Sequence, residues 1–317
     1  MRVLATGSSG FLGRAVVRAL QDAGHEVRTL QRRPSGVDGA DDRRGSVTDP
    51  DAVASALEGI DGVVHLAAKV SLAGDPAQFR AVNVEGTRIL LDAAAAAGVS
   101  RVVHVSSPPS RTPATPSRVW VPSPRIRMPR AANTPVRRPR PRFSLSRAPA
   151  ETPPSWRSAR TSCGARATRS SSSASSRVPG TLPLLDGGTA LIDSTFVDNA
   201  ASGIVAALHR VDEVSGRAYV LTNGEPRPVG DLLAGICRAS GVTPPRFSVP
   251  AGVAKAAGSL IERVWAVRPG QDEPPMTRFL AEQLSTAHWF DQTEIRRDLH
   301  WAPSVSIDEG LRRLSRA

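Results

Sequence analysis

The stretch RVLATGSSGFLGRAVVRALQDAG, residues 2–24, restricts this chain more than any other. A β-rich run ends at Thr6, three glycines follow at Gly7, Gly10 and Gly13, and a helical pattern begins at once. Each glycine answers a steric demand. Gly7 permits a tight turn, Gly10 lets the backbone approach a pyrophosphate held at the helix amino terminus, and Gly13 lets the helix lie close to the sheet. A further strand pattern, EVRTL, follows the helix. Strand, glycine turn, helix and strand in that order predict a dinucleotide-binding crossover rather than a simple glycine-rich loop.

The unit repeats. DPDAVASALEGI reads as a helix with Asp49 or Asp51 at its start, and DGVVHLAA reads as a buried strand. DPAQFRAVNVEGTRILLDAAAAAG predicts one long helix ending at Gly98, and SRVVHVSS predicts the next strand. Strands alternating with helices imply an α/β doubly wound parallel sheet covered on both faces. Near the other end, STFVDNAASGIVAAL predicts a strand-to-helix step with Asp198 and Asn199 in the first turn. RAYVLTNGEP reads as a strand and VGDLLAGICRASG as a helix closed by Gly241. In VAKAAGSLIERVWAV, helical spacing places Val253, Ala256, Ala257, Leu260, Ile261 and Val264 on one face, the face expected to pack inward.

Four motifs in this order carry a resemblance: TGSSGFLG (Thr6 to Gly13), HLAA (His65 to Ala68), NVEGT (Asn83 to Thr87) and VVHVSS (Val102 to Ser107). The chain resembles the extended short-chain dehydrogenase/reductases, the NAD-dependent epimerase/dehydratase superfamily, and most of all their 3β-hydroxysteroid dehydrogenase branch. The resemblance implies a Rossmann fold with a smaller, mostly helical carboxy-terminal substrate region. It implies a dinucleotide held by Thr6, Gly7, Gly10, Phe11, Leu12 and Gly13, and lined by His65, Leu66, Ala67, Ala68 and Asn83. It also implies that Ser106 or Ser107 polarises the substrate, although two serines at a strand end are equally the residues of a plain turn. Relatives that prefer NAD end the second strand with an acid bound to the ribose 2′-hydroxyl. Here Gln31 holds that position, with Arg32 and Arg33 behind it. Two guanidinium groups and no carboxylate favour a 2′-phosphate, hence NADP over NAD.

The resemblance covers residues 1–108 and about 179–317 and stops between them. Fifteen arginines against one acid, Glu151, give residues 109–180 a net charge of +14, so the rest of the chain carries −2 of its total of +12. The family's catalytic tyrosine, with a lysine four residues later, falls within this gap. The only tyrosine is Tyr219, with Asn223 four positions on, and the only lysines are Lys69 and Lys255. One reading is a disordered basic linker, whose arginines would neutralise nucleic-acid phosphates. That reading adds a segment, whereas this one replaces the middle of a domain.

The genetic code offers another. NTPVRR, residues 133–138, can be encoded AAT ACG CCC GTT CGA AGG, which in a displaced frame reads Tyr-Ala-Arg-Ser-Lys. The tyrosine would overlap Thr134 and the lysine Arg138. RTSCGARAT, residues 160–168, yields Pro-His-Leu-Val-Trp-Gly-Pro-Gly-Asp in the same frame, similar to the family's R-P-x-x-V-x-G-P element. Residues 109–178 are accordingly read as a frame-shifted translation.

The expected function is that of an NAD(P)-dependent oxidoreductase acting on a secondary alcohol or ketone of a sterol-like or other apolar substrate, inactive as written. The alternatives are a nucleotide-sugar epimerase or dehydratase and a non-catalytic dinucleotide-binding protein. Expected partners are a small-molecule substrate and a second copy in a homodimer, with no nucleic acid and no metal. No apolar run nears the ~20 residues of a spanning helix, nothing resembles a signal peptide, and Cys163 and Cys237 form no disulfide framework, so a cytoplasmic location is expected.

Overall fold

The computed structural model describes residues 1–70, 75–106, 119–120, 183–267 and 278–316. Strand β1 (Arg2–Thr6) lies at the centre of a sheet. It pairs in parallel with β2 (Glu26–Gln31) on one side, Val3 opposite Val27, and with β4 (Gly62–His65) on the other, Val3 opposite Gly62. β3 (Asp41–Arg44) extends the sheet beyond β2, and β5 (Arg101–His104) extends it beyond β4. The five parallel strands run in the order β3-β2-β1-β4-β5, the order of a Rossmann half. Next to β5 lies a two-residue strand, β6 (Val119–Trp120), antiparallel to it with His104 opposite Trp120.

Alternation along the strands explains the two covered faces. Val3, Ala5, Val27, Val64 and Val103 form one cluster with helix α1 (Phe11–Asp22), which contributes Val16, Val17 and Leu20. Leu4, Leu30, Val63 and Val102 form the second, against α2 (Pro50–Ala56) and α4 (Thr87–Ala96), reached from α3 (Pro76–Arg80). The Asp49 side chain caps α2 by accepting from the N–H groups of Asp51 and Ala52. The predicted long helix over 75–98 forms without a break as α3 and α4, which are continuous through a π-helical turn, Ala81–Gly86. That turn directs the Asn83 side chain back onto the Lys69 backbone.

Beyond residue 183 the chain returns to the same core. Short strands β7 (Leu184–Leu185) and β8 (Leu191–Ile192) lead into helix α5 (Val197–His209), whose Ala201, Ile204, Val205 and Leu208 lie in the cluster that covers β1. α6 (Val211–Val214) follows, and β9 (Ala218–Tyr219) pairs antiparallel with β6. The expected strand over RAYVLTNGEP is only these two residues. After Tyr219 the backbone turns into a polar corner, where Asn199 donates to Asn223 Oδ1 at 2.9 Å and to the Val305 carbonyl at 2.7 Å. Asn199 Oδ1 in turn accepts from the N–H groups of Ser304 at 3.0 Å and Val305 at 3.1 Å. Asp198, beside it in the first turn, is exposed.

Strand β10 (Arg227–Pro228) precedes helix α7 (Val229–Ala239), and β11 (Ser248–Val249) precedes α8 (Ala251–Val267). Helices α9 (Arg278–Ser285), α10 (Thr293–Leu299) and α11 (Ile307–Ser315) complete the fold. A third cluster, Leu185, Val229, Ala254, Ala281 and Leu284, is separate from the sheet's two and supports the helical carboxy-terminal region.

Here one expectation fails. The face of α8 carrying Val253, Ala256, Ala257 and Leu260 is exposed, with Val253 at 58% and Leu260 at 63%. The face that packs inward carries Ala251, Ala254 and Gly258. Small residues at this spacing let a neighbouring helix approach closely, so the buried side is the one with the smaller side chains.

Candidate dinucleotide site

The residues singled out in the first turn converge at the carboxyl ends of β1, β2, β4 and β5. In a doubly wound sheet this edge holds the ligand crevice, at the point where strand order reverses, here between β1 and β4. Thr6 ends β1, and the Gly10 N–H closes the turn onto the Gly7 carbonyl at 3.2 Å. Gly7 has φ of 74°, and a Cβ there would lie 2.7 Å from the Ala67 nitrogen. At Gly13 a Cβ would lie 2.3 Å from the Gly7 oxygen, so the helix cannot retreat from the turn. Gly10 differs: the nearest atom to its Cβ would be the Gly7 oxygen at 3.4 Å, an ordinary contact, and its outer side is open.

No side chain caps the amino terminus of α1, and no acid stands in its first turn. Its N–H groups and dipole are therefore suited to an anion brought from outside. Phe11 is 37% exposed beside the turn, while Leu12 packs against the first cluster.

At the end of β2, the Gln31 side chain is buried and turned back on the glycine turn, accepting the Ser9 N–H at 2.6 Å. Gln31, the residue expected at the cofactor ribose, thus also ties the end of β2 to the glycine turn. Arg32 and Arg33 are exposed behind it, with no ion pair among the described residues. The loop that follows is anchored by Asp42, which accepts from the Thr29 hydroxyl at 2.6 Å and the Ser35 N–H at 2.9 Å. Burial pushes the Asp42 pKa up, but those hydrogen bonds outweigh it and hold it below the usual carboxylate value.

His65 at the end of β4 is fully buried. Its Nδ1 lies 2.6 Å from Thr6 Oγ1 and its Nε2 lies 3.0 Å from Thr87 Oγ1. The His104 ring of β5 stacks on it, centroids 5.1 Å apart. Burial, and then the neighbouring His104, push the His65 pKa down to about 3, and burial lowers that of His104 too. Both rings are neutral at ordinary pH. Past His65, Leu66 packs on the first cluster, Ala67 donates its N–H to Thr6 Oγ1 at 3.2 Å, and Ala68 is exposed. Asn83 grips this loop at a second point, accepting the Lys69 N–H at 2.7 Å and donating to the Lys69 carbonyl at 3.0 Å.

Ser106 stands exposed just beyond the carboxyl end of β5. Ser107, Thr134 and Arg138 lie outside the described residues, as does the anomalous segment apart from residues 119–120. Tyr219 does not replace the missing tyrosine. Its hydroxyl donates to Asp298 at 2.8 Å, and burial together with that carboxylate pushes its pKa up to about 12. Among the described residues no three His, Cys, Asp or Glu side chains converge to hold a metal ion, and no helix is long and apolar enough to cross a membrane.

Sequence reasoning missed three contributors: Ser9, Thr87 and Asp42. Thr87 lay within a quoted motif, but only the fold brings it 3.0 Å from a histidine of another element.

Residues 3–128 match the model of the NAD dependent epimerase/dehydratase family. The chain is 33% identical over 330 positions to a 2-alkyl-3-oxoalkanoate reductase of Stenotrophomonas maltophilia, covering 99% of this chain and 98% of that one. Over 116 positions it is 42% identical to a 3 beta-hydroxysteroid dehydrogenase/Delta 5→4-isomerase of Mycobacterium tuberculosis, covering 33% of this chain and 31% of that one. The UDP-glucose 4-epimerase of Thermus thermophilus, solved with NAD, shares the fold, with a TM-score of 0.59 and 20% identity over 100% of this chain and 98% of that one.

Proposed function

The chain belongs to the NAD-dependent epimerase/dehydratase family, the extended short-chain dehydrogenase/reductases, and within it we propose a ketone or secondary-alcohol oxidoreductase acting on a bulky apolar substrate. The observation that carries the cofactor part is the glycine turn. Gly7 and Gly13 are crowded by backbone, whereas Gly10 is open on the crevice side. A dinucleotide fits this arrangement: its diphosphate would take the open face of Gly10 and the uncapped end of α1, and Ala67 and Ala68 would line it. When bound, the nicotinamide supplies or accepts the hydride. The chain's own residues would bind and orient it, and Ser106, exposed past the end of β5, is the residue we assign to hydrogen-bond a substrate oxygen.

Two relatives support the substrate class. One is named for a 3-oxoalkanoate, a ketone on an alkyl chain, and the other for a 3 beta-hydroxysteroid, a secondary alcohol on an apolar skeleton. A nucleotide-sugar epimerase is the second reading, favoured by the shared fold of the UDP-glucose 4-epimerase. Arg32 and Arg33, exposed and unopposed by a carboxylate at Gln31, support NADP. Paired guanidinium–phosphate bonds are worth roughly 1.5–3 kcal/mol each. Arg32→Ala with Arg33→Ala is therefore expected to weaken NADPH binding about tenfold or more and to leave NADH unchanged. Equal losses for both cofactors would remove the argument for NADP.

The proposal extends to the gene. With no tyrosine–lysine pair, the literal chain is expected to bind cofactor without turnover, because nothing exchanges a proton with the substrate oxygen. Residues 109–178 are read as a displaced frame. Sequencing the source DNA across codons 105 to 185 tests this: restoration of Tyr-Ala-Arg-Ser-Lys is expected, and codons that forbid that frame would end the reading. Turnover of any alcohol by the literal chain would refute the loss of catalysis.

A further inference from the structure

Two hydroxyls bracket the buried His65 ring, and each has one more partner. Thr6 Oγ1 accepts the Ala67 N–H at 3.2 Å and lies 2.6 Å from His65 Nδ1. Thr87 Oγ1 lies 3.0 Å from His65 Nε2 and 3.0 Å from the Asn83 carbonyl oxygen. A hydroxyl carries a single proton, so these contacts restrict one another. If Nδ1 bore the ring proton, Thr6 Oγ1 would receive two donors while its own proton had no acceptor, in a site with no access to water. Thr87 would also have to choose between Nε2 and the Asn83 carbonyl. With the proton on Nε2 every group is paired. The Ala67 N–H donates to Thr6, Thr6 donates to Nδ1, Nε2 donates to Thr87, and Thr87 donates to the Asn83 carbonyl.

This series joins both restraints on one loop. Thr6 holds the loop at Ala67, and Asn83 holds it at Lys69 through both backbone groups. The peptide between Leu66 and Ala67 is also the surface on which Gly7 rests, since a Cβ at Gly7 would lie 2.7 Å from the Ala67 nitrogen and 2.8 Å from the Leu66 carbonyl carbon. Rotating that peptide would displace the glycine turn.

We propose that His65, as the Nε2–H tautomer, is a positioning residue for the dinucleotide: it orients the Thr6 hydroxyl that holds Ala67 against the glycine turn. The inference rests on the reading of this crevice as a dinucleotide site. Its working end is Nδ1, the acceptor for Thr6; the Nε2 bond to Thr87 secures the ring. The ring does not titrate in the ordinary range, because it is buried beside a second imidazole.

The test uses the full chain and two substitutions that both delete the Nε2–H bond. His65→Asn keeps an acceptor near the place of Nδ1, whereas His65→Leu keeps none. NADPH binding, followed by fluorescence, is expected to stay within about threefold of wild type in His65→Asn and to fall about tenfold or more in His65→Leu, each tenfold being about 1.4 kcal/mol. Equal affinities in these two variants, or wild-type affinity in His65→Leu, would overturn the proposal. If the wild-type chain holds no NADPH, the dinucleotide reading falls by itself, and two cofactor-free measurements still decide the inference. A two-bond proton–nitrogen spectrum of the wild type identifies the protonated nitrogen, and Nδ1–H would overturn the proposal. Hydrogen exchange of the Ala67 amide is expected to be slow in wild type and His65→Asn and fast in His65→Leu, and equal protection in all three would overturn it too.

Discussion

Alanine at Gly10 and alanine at Gly13 separate the folding role of the glycine turn from its binding role. At Gly13 the new Cβ would lie 2.3 Å from the Gly7 oxygen and 2.7 Å from the Ser8 α-carbon. Both are backbone atoms, and the Gly7 turn cannot move away because it rests on Ala67. Overpacking of this kind costs about 1–3 kcal/mol, offset by roughly 0.5–1 kcal/mol because alanine suits a helix better than glycine. A net loss of about 1–2 kcal/mol is expected, a fall of about 2–8 °C in Tm. At Gly10 the nearest contact is 3.4 Å and the backbone has φ of −75° and ψ of 167°, which alanine adopts without strain. Gly10→Ala should therefore melt within about 0.5 kcal/mol of wild type. It should nevertheless lose NADPH affinity tenfold or more, about 1.4 kcal/mol, because the methyl group would stand where the proposed site has the diphosphate approach. Thermal unfolding without cofactor and a fluorescence titration read the two effects separately. If Gly10→Ala melts as low as Gly13→Ala, or binds NADPH like wild type, the assignment of the open face is wrong.

Asn199→Ala deletes a buried side chain with five hydrogen bonds to Asn223, Val305 and Ser304, and should destabilise the protein by about 3 kcal/mol in urea unfolding with little change in cofactor affinity. Tyr219→Phe removes the bond to Asp298 and the hydroxyl's interaction with Arg217 and should cost about 1 kcal/mol; a change in cofactor binding would show that Tyr219 has a second role. For pH, the unfolded chain takes up protons near 6.5 at His65 and His104, while the folded His65 does so only at about 3, so stability is highest above pH 6.5 and falls as pH drops. His65→Asn should flatten that slope between pH 6.5 and 4 in a series of thermal melts. An unchanged slope would mean that His65 is accessible to protons in the folded state.

What could be read from the sequence was what local rules decide. The glycine turn, the Asp49 cap and the alternating strands depend on residues within a few positions of each other, and all three stand as expected. The orientation of α8 was not legible, because helical spacing ranks residues by apolarity, whereas packing in this part of the chain selected Ala251, Ala254 and Gly258 for their small size. The role of Gln31 was hidden for another reason. Its position at the end of β2 was clear, but whether its amide faces a ribose or the Ser9 N–H depends on how closely two loops approach. Thr87 is the same case: 22 residues separate it from His65, and only the π-helical turn brings them together.

The return of α5 to the cluster over β1 has a consequence for synthesis. Val3 and Ala5 share that cluster with Ala201, Ile204 and Leu208, so one face of the first strand is covered by a helix some two hundred residues later. At the usual elongation rate of ~5–20 residues per second, the amino-terminal strands wait on the order of ten seconds for that helix. During this interval Val3, Val64 and Val103 lie on an apolar surface that α1 covers without its second helix, a condition under which nascent chains aggregate or recruit a chaperone. A ribosome that stops before residue 197 would release the glycine turn and its strands with this side of the sheet covered by α1 alone, so the solubility of the amino-terminal strands depends on a helix encoded nearly two thirds of the way along the message.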